Sequence, residues 1–297
     1  MQAKLKSVIS YRAELVGGFD EDFIRQKEFL FQETQFDIKG QPVEEKTYTR
    51  EGSLEHKYIY IYDDKGHIVE EFLVEEEEET AEHRTMEYNE KEQLINEYLH
   101  YIDGSADLKK HEYDKDGNLV SVIVTNSDGE VESKVEYVYQ DGFLVHEKNY
   151  GFSRKLESQM KYKRDEKGNV LEEVSENGDS GYRIVSEYNE KGFRTLRKRY
   201  DSRNRLVERI LFEVDENGRA VSYDEESVNG LSHSSFKYDE AGEIELQEEF
   251  NKDGNLIYKV ERNKDQEGRL STTYVYIDGQ NHRPNQDYRI RFEYVYF

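Results

Sequence analysis

Apolar and polar residues alternate with period two along most of the chain. Leu206, Glu208, Ile210, Phe212 and Val214 fall on one side of a run whose other side carries Val207, Arg209, Leu211 and Glu213. Leu156, Met160 and Tyr162 alternate with Glu157, Gln159, Lys161 and Lys163, and Tyr288, Ile290, Phe292, Tyr294 and Tyr296 with Arg289, Arg291 and Glu293. This pattern marks strands with one drier and one wetter face. No helical period is sustained. Residues 21–35 come nearest to one, yet they lead straight into a turn at Asp37 and are read as strand.

The strands are punctuated at regular intervals. An aromatic, then Asp or Asn, two variable residues, Gly and an aliphatic recur at Tyr62–Ile68, Tyr113–Leu119, Tyr238–Ile244 and Phe250–Leu256. Two interleaved series of turns result. The first runs through Gly40, Gly66, Glu92, Gly117, Gly142, Gly168, Gly192, Gly218, Gly242 and Gly268, at spacings of 24 to 26 residues. The second falls midway, at Gly52, Glu79, Gly104, Gly129, Phe152, Gly178, Asn204, Gly230, Gly254 and Gly279. Asp or Asn stands three residues before the turn position in nine of the ten first-series members, Tyr139 being the exception. Asp or Asn opening a type I turn, followed by a left-handed Gly, is the bulged connection that joins antiparallel strands.

Each repeat of about 25 residues is therefore one hairpin. The period predicts an all-β, continuous antiparallel meander of about 22 strands in a single domain, 1–297. Residues 1–35 supply capping strands, 36–277 the repeats and 278–297 a C-terminal capping strand. A sheet this wide must twist, so the expectation is an open spiral with a thin, Tyr-rich interior. The acidic run Glu75–Glu79 reads as a charged hairpin loop. The end strands, near residues 7–15 and 288–296, would be left with free edges, a route to a homodimer.

The turn phrase quoted at Tyr62, Tyr113, Tyr238 and Phe250 resembles the YD repeats of Rhs-type proteins and is similar to shorter variant repeats of bacterial proteins. The resemblance covers about residues 36–277. It implies β-hairpins wound into a continuous spiral sheet, in some members a hollow shell around a toxin domain. The chain departs from the phrase where the aromatic is replaced, at Val138, Arg164, Val214 and Lys264, and carries neither a toxin domain nor a proteolytic core motif.

Composition narrows the function classes. With 42 Lys and Arg against 66 Asp and Glu the net charge is −24, which disfavours binding to nucleic-acid phosphates. Zero Cys removes thiol chemistry and thiolate-bound zinc. Hydrophobic residues are only 35%, but 24 Tyr and 14 Phe are not the composition of a disordered chain. No apolar run suits a membrane helix, and the first residues do not read as a signal peptide, so a cytoplasmic chain without membrane contact is expected.

Catalytic constellations are sparse. Gly178-Asp179-Ser180-Gly181 spells a serine-protease-like motif, but falls on a second-series turn. Asp114-x-Asp116-Gly117-Asn118 and Asn251-x-Asp253-Gly254-Asn255 resemble part of a calcium loop and are also what the turn requires. Eight His residues form no ligand motif; His100 and His111 are placed to face each other across a hairpin. The basic segment Arg194–Arg205 reads as a salt-bridged strand face. Phe36, Tyr62, Tyr88, Tyr113, Tyr188 and Tyr238 share the turn-entry position and would stack along one edge. They either pin the hairpins or form a binding edge.

The expected function is a non-enzymatic scaffold that binds a basic or mixed-charge protein through an acidic, Tyr-rich surface, without cofactor or metal. A toxin-associated or immunity role follows from the resemblance. The alternatives are a DNA mimic that inhibits a basic protein, or a hydrolase acting in the groove of the coil.

Overall fold

The computed structural model describes residues 4–15, 27–75, 80–279 and 284–297. Most of the acidic run, residues 21–26 and parts of both capping segments lie outside them. In chain order the strands are β1 (Leu5–Glu14), β2 (Phe29–Phe36), β3 (Pro42–Tyr48), β4 (Leu54–Tyr62), β5 (Ile68–Val74), β6 (Thr80–Tyr88), β7 (Leu94–His100), β8 (Ala106–Tyr113), β9 (Leu119–Thr125), β10 (Val131–Gln140) and β11 (Phe143–Tyr150). They continue as β12 (Leu156–Arg164), β13 (Val170–Glu176), β14 (Tyr182–Tyr188), β15 (Arg194–Asp201), β16 (Leu206–Val214), β17 (Ala220–Ser227), β18 (Gly230–Tyr238), β19 (Ile244–Asn251), β20 (Leu256–Lys264), β21 (Leu270–Ile277) and β22 (Gln286–Tyr296). The described residues contain no α-helix, only one turn of 3-10 helix at Gly178–Ser180. The 22 strands and their antiparallel order are those the turn period predicts.

The turns form as their residues dictate. At Asp37 the Gly40 N–H donates to the Asp37 carbonyl at 3.0 Å, and the Asp37 N–H donates to Gln41 O at 2.9 Å. The Asp37 carboxylate accepts from the Lys39 and Gln41 N–H groups at 2.7 and 2.9 Å. Those backbone donors, Gln41 foremost, hold its carboxyl below the usual Asp range. All ten first-series turn positions have positive φ, Glu92 at 66° among nine glycines. In the second series the left-handed residue after β11 is Arg154, at 57°, not Phe152, and Gly279 does not adopt positive φ.

The chain divides into two compact units, Met1–Thr85 with Ser235–Phe297, and Met86–Ser234. In the first, β1 lies between β2 and β22, pairing antiparallel with both. The expected open spiral is thereby corrected: the sheet is closed by hydrogen bonds between its first and last strands, the connectivity of a β-barrel. Since β22 pairs with β21 as well, neither end strand has the free edge that association through it requires. In the second unit β7 to β17 pair successively.

A second correction concerns the interior. Among the described residues the buried apolar set is Ala13, Val74, Val122, Ile184, Leu196, Val260 and Val275, without a single aromatic. Both faces of the sheet stay partly wet, so the rings are half-buried on a single layer instead of packed between two.

Closure is reinforced beside β2. The Glu28 carboxylate accepts from Arg289, and from Arg291 Nη2 and Nε at 3.1 and 3.2 Å. The Arg12 guanidinium lies 3.8 Å from the Tyr288 ring centroid, and that of Arg291 4.5 Å from Tyr11. Burial opposes ionisation of Glu28, but the two arginines prevail and hold its carboxyl below the ordinary 4.5. A depressed carboxyl contributes stability that is complete above its unfolded value and lost as pH falls through the folded one. Glu28→Gln is therefore expected to lower stability at pH 7. It should also flatten the pH dependence below about 4.5, as checked by urea unfolding between pH 7 and 3.

Candidate functional site

The six turn-entry aromatics, Phe36, Tyr62, Tyr88, Tyr113, Tyr188 and Tyr238, are all half-buried at the first-series edge of their strands. Three hydroxyls have a common target. Tyr62 donates to Pro42 O at 2.6 Å, Tyr113 to Leu94 O at 2.9 Å and Tyr188 to Val170 O at 3.0 Å. Each acceptor lies two residues beyond the left-handed position of the preceding repeat. Tyr294 repeats the contact on Leu270 O at 2.8 Å, and Arg164, where the ring is missing, reaches Leu144 O at 3.2 Å. At these positions the ladder staples a hairpin to the one before it instead of covering its own glycine. Burial raises the Tyr62 and Tyr113 phenols above their ordinary value. Tyr113→Phe and Tyr188→Phe should each cost about 0.5–1.5 kcal/mol in urea unfolding, with no change in strand content by circular dichroism.

The residue after the bulge glycine reaches the other way. Gln41 Nε2 donates to Gly66 O and Gln93 Nε2 to Gly117 O, both at 3.1 Å. The rings of Phe143 and Phe193 lie over Gly168 and Gly218. At Lys264 the ladder loses its ring, and the ammonium bonds Asp239 and Glu243 at 2.6 and 2.5 Å. A cavity of about 840 Å³ opens there, with Tyr238, Ile244, Arg262 and Leu270 in its wall.

The remaining candidates settle into structural roles. Asp114 Oδ1 accepts from the Asp116 and Asn118 N–H groups, and Oδ2 from Asn118 Nδ2 at 3.0 Å, so the calcium-like loop is a turn with its carboxylate engaged. No group of three or more His, Asp or Glu could hold a metal among the described residues. His100 pairs with Ala106 and His111 with Val122, which corrects their expected meeting across the hairpin; the register places them five strand positions apart. Ser180 sits in the exposed 3-10 turn joining β13 to β14. Within the basic segment, Arg197 pairs with Glu208, Lys198 with Glu187 at 3.8 Å and Arg205 with Asp201 at 2.6 Å. Arg199 instead lies over the Tyr182 ring at 4.8 Å.

The second-series edge is different, and sequence reading missed it. In the unit Met86–Ser234, turns on this edge present Ile102, fully exposed, Val228 at 80% and Phe152 at 66%. Leu156, Leu206 and Leu231 are exposed beside them. The signal was available: these turns need no apolar residue at their tips, and the first-series tips in this unit have none.

No family model matches the sequence, and no curated protein matches it. No helix among the described residues is long and apolar enough to cross a membrane. Among solved structures the chain is similar to the Photorhabdus luminescens Tc holotoxin pore, at 12% identity and a TM-score of 0.48 over 91% of this chain and 15% of that one. It is similar to the TcdB2–TccC3 complex at 9% identity and a TM-score of 0.39, over 91% and 20%. A porin-like protein from Bacteroides uniformis aligns over 98% of both chains at 10% identity, with a TM-score of 0.30. The chain spans 15% to 20% of the length of the two toxin chains.

Proposed function

We propose that the chain is a non-catalytic scaffold that binds a protein partner of basic or mixed charge. The observation that carries this reading is the wide, single-layer sheet. Most of its described residues stay exposed or half-buried, and the chain bears a charge of −24. Repeat proteins with such extended surfaces bind other macromolecules, and acidity favours encounter with basic ones. The turn phrase supports placing the chain near the Rhs-type YD repeats, with a toxin-associated or immunity role. The half-buried ladder tyrosines contribute rigidity to this reading and little contact area.

The test is affinity capture from the native lysate at low salt and at about 0.5 M salt, where the screening length shrinks to a few ångströms. One stoichiometric protein held at low salt and released at high salt is the expected result. Nothing specific at either salt would overturn the reading.

A further inference from the structure

In the unit Met86–Ser234 the successive pairing of β7 to β17 sets the second-series turns in a row along one edge. The row begins with Tyr101–Ser105 and Asn126–Glu130, passes Gly151–Lys155 and Asn177–Gly181, and ends with Asp201–Arg205 and Ser227–Gly230. Adjacent turns are two strands apart, about 10 Å, so the six turns span about 50 Å. The last two are tied together, since the Val228 N–H donates to Val207 O at 3.3 Å.

The chemistry of this row is ordered. It opens with apolar Ile102, continues with acidic Asp128 and Glu130, and carries Phe152 beside Arg154 and Lys155. After the polar turn at Asn177–Gly181 come Arg203 and Arg205, then apolar Val228 and Leu231. All the named charged side chains are exposed. The opposite edge of the same unit shows no such order. Its tips are Glu90-Lys91, Lys115-Asp116, Gln140-Asp141, Glu166-Lys167, Glu190-Lys191 and Glu216-Asn217.

We infer that the second-series edge of this unit is the interface of a two-fold dimer with a second copy of the chain. A two-fold axis across an edge reverses the row, so its first turn meets the last and its second meets the fifth. Ile102 then faces Val228 and Leu231, apolar against apolar. Asp128 and Glu130 face Arg203 and Arg205 of the other copy, acid against base. Phe152, with its flanking cations, faces the polar Asn177–Gly181 turn. Apolar contact and charge are thus complementary under one symmetry operation, which scattered exposure would not produce. The edge also carries local positive charge on a chain of −24, so at 0.15 M salt, with a screening length near 8 Å, these local pairs act while long-range repulsion between copies fades. This inference is independent of the heterologous partner proposed above.

The experiment is sedimentation velocity on the full chain from 1 to 100 µM at 0.15 M salt, with circular dichroism to verify each variant's fold. Wild type is expected to dimerise. Arg203→Glu with Arg205→Glu should weaken the dimer at least tenfold, and Asp128→Arg with Glu130→Arg likewise. Mixing the two variants should restore association, because each then offers the other an opposite charge at both contacts. Because Arg205 also pairs with Asp201 in its own turn, a second readout avoids charge reversal. The chain has no Cys, so Ile102→Cys and Val228→Cys are unique thiols. A short bismaleimide should link the two variants in mixture and neither one to itself. Wild type monomeric at 100 µM, a dimer indifferent to both charge reversals, or a mixture of folded variants that neither associates nor cross-links would each overturn the inference.

Discussion

Truncation after Asn285 is expected to abolish cooperative unfolding and to make the chain aggregate. The deletion removes β22, which fills the gap between β21 and β1 through pairings from Thr272–Arg291 to Ile277–Gln286 on one side and from Leu5–Tyr296 to Glu14–Tyr288 on the other. It also removes the Tyr294 staple and both arginines that hold Glu28. Two long strand edges become open at once, and open edges recruit other chains. A loss above about 4 kcal/mol belongs to this class of change, where a whole strand and a half-buried ion-pair network go together. Thermal melts and light scattering would check it. A truncated chain that melts cooperatively within a few degrees of the intact one would mean that closure contributes little.

Gly218→Ala should be strongly damaging for a single methyl added to a turn. Gly218 sits at φ +84°, and a Cβ there would lie 2.3 to 2.6 Å from three atoms of the Phe193 ring. The left-handed conformation costs a non-glycine residue about 1 kcal/mol. Displacing a packed ring adds about 1–3 kcal/mol. Gly168→Ala, under Phe143, should behave alike. Gly254→Ala is the control: φ is +79° but nothing lies within 4 Å of the added methyl, so only the backbone cost remains. Urea unfolding of the three variants separates the two contributions. Equal losses at Gly218 and Gly254 would show that the ring yields freely.

What could be read from the sequence was local. The Asp-to-Gly spacing encodes hydrogen bonds that span four residues, such as Asp63 with Gly66 and His67, so turns and strand count followed from it directly. Closure could not be read, because alternation in β1 and β22 says which residues share a face and not which strand lies alongside. The turn-entry aromatics were visible as a ladder. Their hydroxyl targets were not, since Tyr113 meets Leu94 only through the register of β7 on β8. The expected Tyr-rich interior failed for another reason: it assumed that coiling the sheet would bury its apolar face, whereas the rings stay half-buried. The apolar tips at Ile102, Phe152 and Val228 were legible in principle, as residues that turn geometry does not demand.

The pairing of β1 with β22 has a consequence for synthesis. The partners are far apart in sequence, so β1 emerges long before its final neighbour. At about 5–20 residues per second, the edge of β1 that will receive β22 waits roughly 15–60 seconds on the ribosome. During that wait the growing sheet is an open ribbon that lengthens by one hairpin at a time, several of them stapled to the preceding one by a tyrosine. The many acidic side chains along the ribbon oppose close edge-to-edge pairing with a neighbouring nascent chain until β22 arrives and the exposed edge is gone.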